Sequence, residues 1–255
     1  MPVELVVPHF AQARYYHPGR VAPIRLGVIH VGVTPETVTQ AEGMVDFAAS
    51  VGARVASFHL AADSDSLARG VHDWDTAFGA PGANADGLHL EQAGQVQNRA
   101  GWTDPFSLKM IREQSARAVR SWHDLHGLPL VHLTLAQVGD RRSKGFCGHY
   151  DVTKGLPAAG GTHTDPDGGS GYPWDVLFAA VEQHPAVQRP AKTNPYNRHD
   201  SLVKWTQWAL GIPVDGIPGP QTWAALRALR KRNGIDQNLP YPDGATWRVL
   251  EQITH

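Results

Sequence analysis

The segment PIRLGVIHVGVT (Pro23 to Thr34) is a short apolar run closed by Pro at one end and Thr-Pro at the other, and it reads as a buried strand. RVASFHLA predicts a second short strand, GLHLEQAG (Gly87 to Gly94) a third, and LPLVHLT a further one. Helical patterns separate them. TPETVTQAEGMVDFAASVG predicts a helix with Thr34 as N-cap, Pro35 at the first position and Gly52 beyond its end. DPFSLKMIREQSARAVRSWHDLHG predicts a longer one, with Leu108, Ile111, Ala118, Trp122 and Leu125 on one face and Gly127 as the stop. YPWDVLFAAVEQH predicts a helix starting on Pro173. Strands alternating with helices imply an α/β domain, a mixed central sheet with flanking helices.

That pattern ends near residue 184. PAVQRPAKTNPYNRHD is proline-rich and without apolar periodicity, so residues 185–200 read as a linker between a first domain (1–184) and a compact tail (201–255). The tail carries an internal echo, TWAAL from Thr222 and TWRVL from Thr246, each shortly after a Pro/Gly/Asp turn. Two copies are too few for a solenoid, and the expected form is one small all-α domain of three helices.

Charge and cysteine content narrow the function classes. A net charge of −1 gives no electrostatic reason to expect nucleic acid or an anionic membrane as partner. The single cysteine, Cys147, excludes an intramolecular disulfide framework and any multi-cysteine zinc module. The N-terminal MPVELVVPHFAQARYYHPGR lacks the basic start and apolar stretch of a secretory signal, so synthesis in a cytoplasm is expected. No segment approaches the ~18 apolar residues that span a bilayer. The 14 histidines are a pool from which metal ligands can be drawn.

Two histidines, several aspartates and a run of glycines meet in GFCGHYDVTKGLPAAGGTHTDPDGG (Gly145 to Gly169), a loop-like stretch. His149 and Asp165 lie within it, and His30 closes the first strand at a glycine-containing turn. Two histidines and a carboxylate, from a strand end and one long loop, form a chemically sensible zinc set with a position left for water. Any one of the histidines is more often a surface or core residue, and Asp165 alone is a turn-former before Pro166, so spacing leaves both readings open.

VIHVGVT, SFHLA, GLHLEQAG and GHYDVTKG with THTDP occur in the order seen in type 2 N-acetylmuramoyl-L-alanine amidases, the zinc-amidase fold shared with the peptidoglycan recognition proteins. The resemblance covers roughly Gly27 to Trp174. It implies Zn2+ held by His30, His149 and Asp165, with Glu91, on a strand resembling the family's I-G-I-E, as general base. Two positions depart from the family pattern. His163 stands where a lysine is thought to stabilise the oxyanion, and it also competes with Asp165 as third ligand. Ala77-Phe78-Gly79 stands where the family has A-W-H, without the histidine. His59 fits an S-x-H strand as a packing residue near the site; His72, His89 and His132 carry no motif and read as structural, and Cys147 as a small buried residue.

The tail resembles the small three-helix peptidoglycan-binding module, whose D-G-x-x-G-P-x-T is matched by Asp215, Gly216, Gly219, Pro220 and Thr222. Trp223, Leu226 and Leu229 recur on one face and read as core, while Arg227, Arg230, Lys231 and Arg232 make either an anionic-polymer patch or a solvated face. Together the resemblances imply a monomeric phage-type endolysin that cleaves the amide between N-acetylmuramic acid and L-alanine of peptidoglycan. It would be released to the wall with the help of a separate holin-like protein, without inserting into the membrane itself. Two other classes compete: a peptidoglycan-binding protein that does not cut, and a zinc peptidase acting within the stem peptide. Ser57-Phe58-His59 opens the S-x-H-x-x-G motif of such peptidases, but Ala62 replaces its glycine.

Overall fold

The computed structural model describes residues 4–53, 55–95, 101–159, 161–166, 171–187, 206–207, 210 and 220–233. Its contacts divide into two units, Glu4–Arg189 and a tail from Pro190 onward. Most of the expected linker, and most of the expected three-helix bundle, lie outside the described residues.

The first unit is built on a six-stranded sheet. In chain order its strands are β1 (His9–Phe10), β3 (Leu26–Val31), β4 (Leu60–Ala62), β5 (Leu67–Arg69), β7 (Gly87–Gln92) and β8 (Gly145–Gly148). A separate two-stranded ribbon joins β2 (Tyr16–His17) to β6 (Thr76–Ala77). The spatial order is β1-β5-β4-β7-β3-β8, with β4 and β5 antiparallel and every other pair parallel. The sheet is therefore mixed. All six residues of β3 are buried, as a central strand covered on both faces requires.

Period-two alternation sorts the side chains. Ile29, Val31, Leu88, Leu90 and Phe146 enter the larger core. That core is closed by α1 (Gln40–Ala49), by a long helical run, and by α6 (Trp174–Gln183). The long run passes from α2 (Pro105–Lys109) through a π-helical stretch (Met110–Ser115) into α3 (Ala116–His126). Leu26, Val28 and Cys147 face the other way, into a smaller core with Val138 of α4 (Leu135–Gly139) and Val152 of α5 (His149–Gly155). His30 and Glu91 follow this second parity, which brings them to the sheet edge beside α5.

Three local expectations are corrected. Helix α1 begins at Gln40, because Thr34 is spent elsewhere: its N–H donates to Gly94 O at 3.0 Å, and its hydroxyl accepts from Gly94 N–H at 3.3 Å. Residues 128–134 form no strand and keep only an isolated bridge from His132 to Phe146. The stretch from Gly145 opens as a strand, β8, running directly into α5, and is a loop only beyond the short turn of helix at Pro157–Ala159. The longer helix ends where expected, with Gly127 left-handed at φ 67°.

Buried charge ties the N-terminal segment to this frame. Arg69 Nη1 lies 2.7 Å from Asp73 Oδ1 and 3.0 Å from Glu4 Oε2, and Arg69 Nη2 donates to Leu5 O at 3.0 Å. His126, at the end of α3, reaches Asp73 Oδ2 at 3.0 Å. Burial alone would raise the Asp73 carboxyl, but Arg69 and His126 outweigh it and hold it well below the usual carboxylate range. A depressed folded pKa stabilises fully above the unfolded value of ~3.9, and that contribution is lost as pH falls through the folded value. Asp73→Asn is thus expected to cost on the order of 3 kcal/mol near neutrality, by leaving Arg69 undercompensated. In urea unfolding curves its deficit against the parent should stay constant from neutral to about pH 5 and shrink below about pH 4.

In the tail, α7 (Pro220–Arg232) starts on its proline. Leu226 and Leu229 are buried, and Thr222 accepts from Gln207 Nε2 at 3.1 Å. Arg230 is buried at 1% exposure, which removes it from a solvated face or surface patch shared with Arg227 and Lys231. Among the described residues no helix is long and apolar enough to cross a membrane.

Candidate metal centre

His30, His149 and Asp165 converge, each buried, with one donor atom apiece all within 4.8 Å of one another. His30 is the fifth residue of β3, His149 the first residue of α5, and Asp165 follows in the succeeding loop. The loop is pinned to the helix start: Tyr150 N–H donates to Asp165 O at 2.8 Å, and Val31 N–H donates to Asp165 Oδ2 at 3.3 Å. Asp151 steadies the same turn by accepting from Gly148 N–H at 2.8 Å and by pairing with His132 Nε2 at 2.9 Å. His132 in turn stacks on Trp174, 4.4 Å between ring centres.

The donor spacing fits a small divalent cation. His30 Nδ1 and His149 Nδ1 are 3.1 Å apart, and they lie 3.6 and 3.5 Å from the Asp165 oxygens Oδ2 and Oδ1. A tetrahedron with bonds of about 2.0–2.1 Å has edges of roughly 3.3 Å. Burial and the neighbouring His149 push His30 down to about 3, so its imidazole is neutral, as a ligand must be. Burial opposes ionisation of Asp165, but its hydrogen bonds with His149 and with Val31 N–H help outweigh that and hold it at about 2, an anion. Two imidazole nitrogens and one carboxylate make a donor set suited to zinc.

Glu91 sits on β7 in register with His30, on the same face of the sheet. The residue is partly exposed, and desolvation by the protein packed around its carboxyl, followed by repulsion from Asp165, pushes it up to about 8. His163 stacks on His149 with ring centres 4.2 Å apart, and its Nδ1 lies 3.6 Å from Asp165 Oδ1. Its side chain is 59% exposed, so it stands at the rim of the cluster, outside the buried set of three. Cys147 is buried and burial raises its thiol well above the ordinary value, which leaves it un-ionised.

The other histidines divide. His72 lies away in the N-terminal network, 2.7 Å from Glu4 and stacked on Phe10 and Trp74. His59 does not face the cluster; it is buried against His89, Arg20 and Asp75. His89, without a sequence motif, lies 3.0 Å from His30 Nε2. One sequence signal does place it: the alternation in GLHLEQ sets residues 87, 89 and 91 on one face, so His89 shares a face with Glu91. Arg20 had no such signal.

The rim carries one strained residue. Val33, exposed just beyond His30, has φ 49°, a left-handed value that β-branched residues avoid. Backbone bonds on both sides hold it there, Gly32 N–H to Gln92 O at 2.8 Å and Thr34 N–H to Gly94 O.

A family described as a putative peptidoglycan binding domain matches residues 200–226 of the chain. No curated protein matches it. Among solved structures, the chain is similar to the Staphylococcus aureus hydrolase AmiA in complex with its ligand, at 15% identity and a TM-score of 0.48, over 69% of this chain and 85% of that one. The N-acetylmuramoyl-L-alanine amidase LysC from Clostridium intestinale matches at 15% identity and a TM-score of 0.40, over 69% of this chain and 98% of its own. The catalytic domain of XlyA matches at 10% identity and a TM-score of 0.42, over 68% and 97%.

Proposed function

We propose that the chain is a zinc-dependent peptidoglycan amidase that cleaves the bond between N-acetylmuramic acid and L-alanine, with a tail (201–255) that holds it on the wall. The convergence of His30, His149 and Asp165 carries the reading, with Glu91 in register beside them. The match of residues 200–226 to a peptidoglycan-binding family supports the wall as the site of action. Tethering to an insoluble polymer raises the local concentration of the catalytic unit at its substrate.

His30, His149 and Asp165 would hold the ion, which when bound lowers the pKa of water toward ~7 and polarises a carbonyl. Glu91 takes the proton from the attacking water and returns it to the leaving amine. Its carboxyl, raised toward neutrality, suits both transfers. His163, at the open rim and held by its stack on His149, donates a hydrogen bond to the carbonyl oxygen as negative charge builds on it. Asp165 keeps its charge for the ion, and the bond from Val31 N–H fixes its orientation.

Digestion of purified peptidoglycan with and without a zinc chelator tests this directly. New N-terminal alanine without new reducing sugar ends, lost on chelation and restored by zinc, is expected. Amino termini from deeper in the stem would replace the amidase with a peptidase. Sedimentation with the wall and no release would leave a binding protein.

A further inference from the structure

We infer that His89 is a positioning residue for the metal centre: it accepts a hydrogen bond from His30 Nε2 and so turns the Nδ1 lone pair of His30 toward His149 and Asp165. This rests on the metal-centre reading above and extends it to a residue outside the ligand set.

The hydrogen-bond direction follows from a chain of contacts. His30 Nδ1 faces His149 Nδ1 at 3.1 Å, and His30 Nε2 faces His89 Nδ1 at 3.0 Å. A neutral imidazole that gives one nitrogen to a cation carries its proton on the other, and the partner of that proton sets which nitrogen is free. His30 therefore donates through Nε2, and His89 Nδ1 accepts. The proton of His89 then sits on its Nε2, which is buried without a hydrogen-bond partner among the described residues. An apolar side chain would pack there without that cost, so packing alone does not account for a histidine at this position.

His89 is itself held. Its backbone N–H donates to His59 Nδ1 at 2.9 Å, and its carbonyl accepts from His59 N–H at 3.0 Å. The His59 and His89 rings lie nearly parallel, 15° apart, with centres 5.6 Å apart. His59 Nε2 and Arg20 Nη1 both reach Asp75 O, at 3.3 and 2.9 Å, while Arg20 Nη2 donates to Gly87 O at 2.8 Å. Arg20 and His59 thus hold β7 at Gly87 and at His89 itself, the residue whose ring orients His30.

Space at Gly79 gives an independent line. A Cβ on Gly79 would lie 2.6 Å from His89 Cγ and 2.7 Å from its Nδ1. The imidazole fills the volume that a side chain at position 79 would occupy, so the absence of a side chain there and the presence of His89 are one arrangement.

The test compares the full-length chain with three variants by zinc competition against a chromophoric chelator, alongside urea unfolding of the zinc-free proteins. His89→Phe keeps a ring but offers no acceptor, and is expected to weaken zinc binding by about 10–100-fold. Its zinc-free stability should stay close to the parent's. Gly79→Ala, which retains His89 but displaces its ring, should weaken binding over the same range. His89→Asn, whose amide oxygen can stand near the Nδ1 position, should recover most of the affinity. Parental zinc affinity in both His89→Phe and Gly79→Ala would overturn the inference while leaving the metal centre intact. A parent chain that binds no zinc would instead remove the metal-centre reading and this one with it. Should His89→Phe fail to fold, Gly79→Ala and His89→Asn decide the matter.

Discussion

His149→Ala is expected to abolish measurable wall hydrolysis, a loss on the order of 10³-fold or more and so at least about 4 kcal/mol in the barrier. His149 opens α5 and puts Nδ1 3.1 Å from His30 Nδ1 and 3.5 Å from Asp165, so its removal leaves two donors out of three. It also removes the ring on which His163 stacks, and with it the placement of the donor proposed for the carbonyl oxygen. Zinc content should fall with activity. Fold should not, because the substitution leaves the apolar clusters on both faces of the sheet intact. Zinc analysis, a turbidity assay on purified walls and a circular dichroism spectrum together check the expectation. A variant that clears walls at the parental rate would end the metal-centre reading.

Glu91→Gln is expected to do the reverse for the metal: zinc retained, rate reduced by about 10²–10⁴-fold. Glutamine preserves shape and removes only the ability to accept a proton. A pH profile separates this role from a structural one. Burial and the Asp165 charge raise the Glu91 carboxyl to about 8, and a base must be ionised to act, so the parental rate should climb with pH through that titration. A cation among His30, His149 and Asp165 offsets the Asp165 repulsion, which places the midpoint of the climb at or below about 8. The residual activity of Glu91→Gln should lack that limb. A parental profile with the same limb in the variant would assign it to another group.

The strands that carry the site were legible because their burial is written in short apolar runs: β3 and β7 fall within PIRLGVIHVGVT and GLHLEQAG. The long helix was legible from Gly127, left-handed at its end, while its start is fixed by Asp104, which accepts from Phe106 and Ser107 N–H. What failed did so where a residue's local preference lost to a distant partner. Thr34 has the chemistry of an N-cap, but a loop some sixty residues away engages it first. LPLVHLT has strand composition, yet it lies beyond the edge strand β8 and keeps a single bridge to it. Arg20 sits in a segment with no periodicity, and its value comes from carbonyls of Asp75, Ala85 and Gly87 that only the fold brings near. Residue type pointed to His30, His149 and Asp165, which the fold brings together; the side chains that hold them in place are a property of packing.

His30 and His149, the two histidines of the candidate centre, are 119 residues apart in sequence, one on an interior strand and one on the helix that leaves the edge strand. No unfolded chain presents that site, so a zinc ion held there would favour the native state by mass action, by up to about 2.7 kcal/mol at a hundred times its dissociation constant. With one cysteine the chain has no covalent cross-link of its own. The ion would then be a reversible staple across the sheet, and the endurance of the enzyme would follow the metal content of its surroundings as closely as its catalytic rate does.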